Sequence, residues 1–388
     1  MDAARWTSWL VLTVLALAVV NAVWVLAVRW WYRLRTTPPE QLKTRCQDGW
    51  ELTVHVRRAA HRRFEEPVLL CHGLAANRCT FDFEPPYSLA HALTDAGFDC
   101  FSVEWRGIGH SRRSPPGLHW PDVTVDDLVT QDAPALIALA LAQTGARRAF
   151  WVGHSLGGLV GYATAQGPEG KRLAGLLALG SPVFFPPDPL IRRLIYVGAR
   201  AAWPRGFRNE WLSRTLAPFL GYVTLPLSDV IINPKHIPPT TQRKVYANMM
   251  ASMSRNVLRQ FQDWIDHDAF RSFDGSVDWR AGLSRLTLPV MVMGGSVDRL
   301  APPKNLRAQY ELVGSPDKKL HIFGCERGDK MDYGHGDLLF GTGAPLEIQP
   351  EVRGWLEARA TPLATRIRDE AQGESVTTQA AAPEPAAS

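Results

Sequence analysis

The run Trp151-Val152-Gly153-His154-Ser155-Leu156-Gly157-Gly158 constrains this chain more than any other feature. An apolar stretch leads into it, and a helix-forming stretch containing Ala and Gly leads out. A serine in so short a strand-to-helix turn must take a strained backbone, and glycine is needed beside it to avoid side-chain collisions. Gly153 and Gly157 stand at those places. The turn would present the Ser155 hydroxyl at a helix N-terminus, as a nucleophile. The competing reading is a plain glycine-rich turn.

Short apolar runs and helical patterns alternate around this elbow. Strands are expected over 51–56, 68–71, 99–104, 149–153, 175–179, 289–293 and 319–323, with helices over 125–143 and 156–165 and a last helix over 349–360 covering a sheet edge. Such alternation predicts a mostly parallel sheet flanked by helices on both faces. Residues 182–280 break the order. They hold no clear strand, are rich in Trp, Phe, Tyr, Met and Arg, and are too long for a structureless loop. A mostly helical cap inserted into the sheet domain is expected there; the alternative is a small second domain with no part in binding.

A nucleophilic serine needs a base, and the base needs an orienting carboxylate. The run 289–293 leads into Gly294-Gly295-Ser296-Val297-Asp298, and the run 319–323 leads into a loop containing Tyr333-Gly334-His335-Gly336-Asp337. Asp298 and His335 are therefore the candidate acid and base. Asp298 also suits a helix cap, and Asp188 is the substitute acid. Among the other histidines, His321 falls in a strand and His236 and His267 in the cap; Asp337 is expected to hold its loop by hydrogen bonds. A developing oxyanion needs backbone donors, for which the N–H groups of Leu156 and Leu74 are candidates. His72 and Gly73 would support the second of those loops, and His154 would pack beside the elbow.

These residues resemble the α/β-hydrolase superfamily, and within it the acid-lipase-like branch. The likeness rests on Leu70-Cys71-His72-Gly73-Leu74, on Gly294 through Leu300, and on Tyr333-Gly334-His335-Gly336-Asp337 continuing to Phe340-Gly341 and Ala344-Pro345. It spans roughly 46–360. The resemblance implies Ser155 as nucleophile, Asp298 as acid, His335 as base, and Leu74 with Leu156 at the oxyanion hole. It also implies a cap between the sixth and seventh core strands that covers an apolar acyl site. The chain departs from the branch at Leu156, where acid lipases usually carry glutamine. A weaker likeness to polyhydroxyalkanoate synthases stops at Ser155, where those proteins use cysteine.

The N-terminus reads differently. From Trp9 to Val28 the chain is apolar apart from Ser/Thr-type residues and Asn21, long enough as a helix to cross about 30 Å of hydrocarbon. Trp6 and Trp9 mark one end, and Trp30, Trp31 and Tyr32 the other, as interfacial aromatics do. A cleaved signal peptide is the rival: Ala16-Leu17-Ala18 has small-x-small spacing, but it lies in mid-run. A buried core helix is the weaker rival. Arg29, Arg33, Arg35, Lys43 and Arg45 follow the run while Arg5 stands nearly alone before it, so the positive-inside rule predicts a single-pass anchor (1–35) with the catalytic domain on the cytoplasmic side. The hydrolase domain is expected over 46–361, and a disordered Ala/Pro-rich tail over 362–388.

Composition narrows the function classes. A net charge of +5 over 388 residues, with scattered arginines, gives no basic stripe for nucleic acid. The five cysteines form no close CxxC ligand pair and an odd number cannot all pair, so free thiols are expected. No HExxH, dinucleotide fingerprint or Walker lysine is present; Arg106-Gly107-Ile108-Gly109-His110-Ser111 reads as a tight turn. No cofactor and no metal are expected. The expected activity is hydrolysis of carboxylic esters with apolar or lipid-derived acyl groups. The rivals are an acyltransferase using the same acyl-enzyme and a non-catalytic membrane-bound scaffold.

Overall fold

A computed structural model describes residues 3–112, 114–185, 189–201, 206, 209–222, 230, 233 and 235–363. Asp188 and the tail beyond 363 lie outside the described residues. Eight strands build one sheet: β1 (Glu40–Arg45), β2 (Glu51–Arg57), β3 (Val68–Cys71), β4 (Cys100–Val103), β5 (Ala149–His154), β6 (Leu173–Leu179), β7 (Val290–Gly295) and β8 (Lys318–Phe323). Their order is β1-β2-β4-β3-β5-β6-β7-β8. β2 runs antiparallel to both β1 and β4, and every other neighbouring pair is parallel.

The central strands are buried on both faces, which is why they read as continuous apolar runs. Alternate residues serve opposite cores. Leu69, Phe101, Trp151 and Val292 face one side, where helices Ala133–Thr144, Leu156–Ala165 and Pro303–Leu312 pack. Leu70, Cys100, Val152 and Met293 face the other, against Leu89–Asp95 and Ile348–Glu357.

Three local departures from expectation have physical causes. β1 carries the sequence EQLKTR and lies along the sheet edge, largely exposed, so it shows no apolar run to betray it. The helix expected over 125–143 is broken into one short turn, a wide π turn over Leu128–Asp132 and the helix Ala133–Thr144. Pro134 has no N–H for the i−4 carbonyl, which forces that change of pitch. The last helix does not merely cover the edge. Glu351 meets Lys319 on β8, but Trp355 reaches the centre of the sheet, packing on Phe150 and against Gly175.

Between β6 and β7 the described residues form no named strand and carry helices Pro189–Ala201, Asn209–Leu216, Pro239–Asn248 and Arg255–His267. Beyond the last helix, Pro362 still bridges to Phe64, and the Leu363 N–H donates to the Arg63 carbonyl at 2.8 Å. The N-terminal helix Ala3–Trp31 contains a 26-residue stretch, Trp6–Trp31, long and apolar enough to cross a membrane. Eight residues, 32–39, join it to β1. They are fastened down: the Tyr32 carbonyl accepts from Asn248, the Arg35 N–H donates to Glu84, and the Thr37 carbonyl accepts from Arg57.

Candidate active site

The chain's winding direction reverses between β3 and β5, since β4 lies on one side of β3 and β5, β6 and β7 follow on the other. In open α/β sheets a crevice opens outside the carboxyl ends of the strands at such a switch point. Cys71 pairs in register with Gly153 there, so the loop 72–74 and the elbow 154–156 leave the sheet side by side.

Ser155 sits at φ 52°, ψ −119°, the strained turn expected of it, and is followed at once by helix Leu156–Ala165. The glycines are required by close approach. A Cβ at Gly157 would lie 2.0 Å from the Cys71 carbonyl oxygen, and one at Gly153 would lie 2.3 Å from the Gly158 nitrogen. Trp151 then pins the turn, its indole N–H donating to the Gly157 carbonyl at 2.9 Å. Gly73 abuts the elbow: a Cβ there would stand 3.1 Å from that of Ser155 and 3.2 Å from His154 Nδ1.

The structure brings Asp298 and His335 together. His335 Nδ1 lies 2.8 Å from Asp298 Oδ2, and both side chains are buried. Asp298 Oδ1 accepts from the backbone N–H groups of Leu300 and Ala301 at 2.8 and 2.9 Å, so the carboxylate is held at both oxygens. The two loops that carry the pair are laced together. The Val297 N–H donates to the Tyr333 carbonyl at 3.1 Å, and Ser296 Oγ donates to Asp332 at 2.8 Å.

Neighbouring histidines are bracing groups. His154 Nε2 donates to the His335 carbonyl at 3.3 Å, with ring centroids 4.6 Å apart. Burial pushes its pKa well below the ordinary range, and the His335 ring adds to this. His72 Nδ1 lies 2.9 Å from the Gly73 carbonyl, and the Trp105 indole donates to the His72 carbonyl at 3.0 Å. Burial lowers the His72 pKa to about 4. Asp337 ties its own loop to the insertion, accepting from the N–H groups of Gly334 and Asn233 at 2.9 and 2.8 Å. His321 lies in β8 and His267 ends helix Arg255–His267.

Sequence reasoning missed three features in or near the site. Gly180 ends β6 at φ +54°, and a Cβ there would stand 3.1 Å from the His335 ring and 3.2 Å from Asp298 Oδ2. Its flanks, Leu179 and Ser181, carry no motif that marks it. A cavity of about 40 Å3 lies beside Leu74 and Leu156, walled by Trp120, Met253 and Val257. The last two come from the helical insertion, where apolar residues for a site and for a core look alike in sequence.

The third is Glu104, just after β4. Its Oε2 accepts from the His110 N–H at 2.8 Å and lies 3.1 Å from His55 Nε2 and 3.3 Å from His110 Nδ1. Burial pushes this carboxyl up, but the bonds from His110 and His55 outweigh it and hold the group below the usual carboxylate range. Among the described residues this is the group whose donor set suits a cation. The carboxylate is already engaged in closing the turn 106–111. All five cysteines are free, four of them buried.

The model of the alpha/beta hydrolase fold family matches residues 66–332. Human lipase member K is 24% identical to this chain over 354 residues, covering 81% of it and 86% of the lipase. Rat gastric triacylglycerol lipase is 23% identical, covering 81% and 87%. Among solved structures, a thermophilic esterase from Thermogutta terrifontis has the same fold, with a TM-score of 0.56 at 19% identity, over 83% of this chain and 100% of the esterase. The strand order, the elbow and the family match agree, and the chain belongs to the α/β hydrolase fold family.

Proposed function

We propose that this chain is a membrane-anchored serine hydrolase that cleaves carboxylic esters with apolar, lipid-derived acyl groups. The observation that carries the reading is the 2.8 Å contact of His335 Nδ1 with Asp298 Oδ2 on loops next to a strained Ser155. The lipase relatives support the same chemistry.

With Nδ1 bonded to the carboxylate, Nε2 of His335 is left to take the Ser155 proton. Ser155 Oγ then bonds to the ester carbonyl carbon, and the charge on oxygen is met by the backbone N–H groups of Leu156 and Leu74. Leu156 is the first residue of its helix, so its N–H has no intrahelical acceptor. The tetrahedral intermediate expels the alcohol, which takes the proton from Nε2, leaving an acyl-enzyme. Water adds to that acyl carbon, giving its proton to Nε2. Collapse releases the carboxylic acid and returns the proton to Ser155. The small, largely apolar cavity beside Leu74 and Leu156 supports a place for the first carbons of the acyl group.

The helix Trp6–Trp31 supports the anchor, and the arginines after it support a cytoplasmic domain. The test is fluorophosphonate labelling of the full-length protein and of Ser155→Ala, with peptide mapping and an ester chain-length series. Labelling at Ser155 that vanishes in the variant, with turnover of long-chain esters, is the expected result. A folded protein that takes no label overturns the reading.

A further inference from the structure

The N-terminal helix is docked on the helical insertion, by a defined stripe. Residues 6–20 are exposed throughout, whereas Asn21, Val25, Val28 and Tyr32 turn inward at helical spacing. Asn21 Nδ2 donates to Thr215 Oγ1 at 3.4 Å, and the Trp24 indole N–H donates to the Thr215 carbonyl at 3.2 Å. Val28 packs with Ala217 and Ala247. The Trp24 ring lies 6.3 Å from that of Phe219.

This docking fixes a depth. About 20 residues of helix cross the hydrocarbon. If the span starts at Trp6, its far boundary falls near Val25. If it ends at the Trp30-Trp31 pair, Asn21 lies about 15 Å inside that boundary, at 1.5 Å per residue. In either placement the level of Asn21 and Trp24 is at or within the membrane boundary, and Thr215 is bonded at that level. The segment around Thr215 exposes Trp211, Leu212, Phe219 and Tyr222 at 50%, 53%, 54% and 80%. Large apolar side chains so exposed on one contiguous segment mark an interaction surface, and here the surface is continuous with a helix that is itself apolar enough for lipid.

We propose that this face of the insertion is embedded in the leaflet beside the helix, so that the bilayer is its partner and the ester substrate is drawn directly from that leaflet. The proposal rests on the anchor and esterase reading above. A short path links the embedded face to the site. Glu210, adjacent to Trp211, accepts from Ser252 Oγ at 2.7 Å, and Ser252 lines the cavity beside Leu74 and Leu156. Arg29 and Arg33, which follow the docked stripe toward the end of the helix, suit anionic headgroups.

The test uses full-length protein in vesicles of phosphatidylcholine and phosphatidylglycerol. A polarity-sensitive fluorophore is placed on Leu212→Cys, on Phe219→Cys, and on Lys171→Cys at the opposite end of the sheet, all in a Cys325→Ser background. Nitroxide-bearing acyl chains are expected to quench the first two labels at least about threefold more than the third. The triple variant Trp211→Ser, Leu212→Ser, Phe219→Ser is expected to lose about tenfold of turnover on a vesicle-borne ester while keeping turnover of a dispersed short-chain ester. Labels at 212 and 219 that remain as water-accessible as that at 171 overturn the proposal. So do labels shielded from water but not reached by lipid nitroxides, which would place a second copy or another protein on this face. Lipid quenching in a protein that hydrolyses neither ester would leave the embedding standing and sink the esterase reading alone.

Discussion

His154 donates its Nε2 proton to the backbone carbonyl of His335, and the two imidazoles lie 4.6 Å apart. The residue immediately before the candidate nucleophile thus braces the candidate base. His154→Ala should lower the rate of fluorophosphonate labelling about tenfold by loosening the His335 loop, and His154→Gln, which retains a donor, should recover part of it. Equal labelling rates in wild type and His154→Ala would show that the loop needs no such brace.

Asp298 and Asp337 are both buried acids near His335, but they are bonded to different groups. Asp298→Asn should reduce kcat by about 10,000-fold, because an amide leaves the imidazole in the wrong tautomer. Asp337→Asn should act chiefly on stability, since its oxygens hold the Gly334 and Asn233 N–H groups. A comparison of kcat and unfolding midpoint for the two variants separates these roles. A kcat for Asp298→Asn within tenfold of wild type would move the acid elsewhere.

Gly180→Ala tests the packing beneath the pair. At φ +54° a side chain is strained, and the new methyl group would press on both His335 and Asp298. A loss of activity of at least about tenfold is expected, with a stability cost of roughly 1 kcal/mol or more. Unchanged kinetics would mean that the His335 ring has room to shift.

Acid should destabilise the fold through its buried neutral histidines. His72 has its pKa lowered to about 4 from an ordinary 6.5, and His154 is shifted in the same direction. The folded state therefore binds fewer protons than the unfolded chain. Stability should hold above about pH 6.5 and fall as the pH drops toward about 4, with the His72 contribution amounting to about 3 kcal/mol. Denaturant midpoints measured at about pH 7.5, 5.5 and 4.5 should decline, less steeply in His72→Gln. A flat profile in the wild type would show that these rings are solvated.

Much of this architecture was legible because its signals are local. β3 and the strands ending at the Ser155 and Asp298 loops are buried on both faces, and short apolar runs followed by Gly-rich turns record that directly; β8, which leads to the His335 loop, lies at an edge and buries only its last two residues. The paired loops were legible because the candidate catalytic residues stand among glycines. β1 escaped because an exposed antiparallel edge strand needs only backbone partners. Gly180 and Glu104 escaped because their importance lies in what lies opposite them in space: His335 and Asp298 for one, His55 and the 106–111 turn for the other. The cavity wall from Met253 and Val257 escaped because apolar residues in the insertion do not say in sequence which side they face. Asp188 lies outside the described residues, and Asp298 is the acid that meets His335.

The stitched segment 32–39 has a consequence for kinetics. Eight residues could extend to about 29 Å as a free strap, but Tyr32, Arg35 and Thr37 are each fastened to the folded domain. A helix held in a bilayer would therefore hold the whole domain as one rigid body against its own leaflet. Such an enzyme searches in two dimensions. Its rate should follow the mole fraction of ester in that leaflet, and substrate carried on a neighbouring vesicle should be invisible to it.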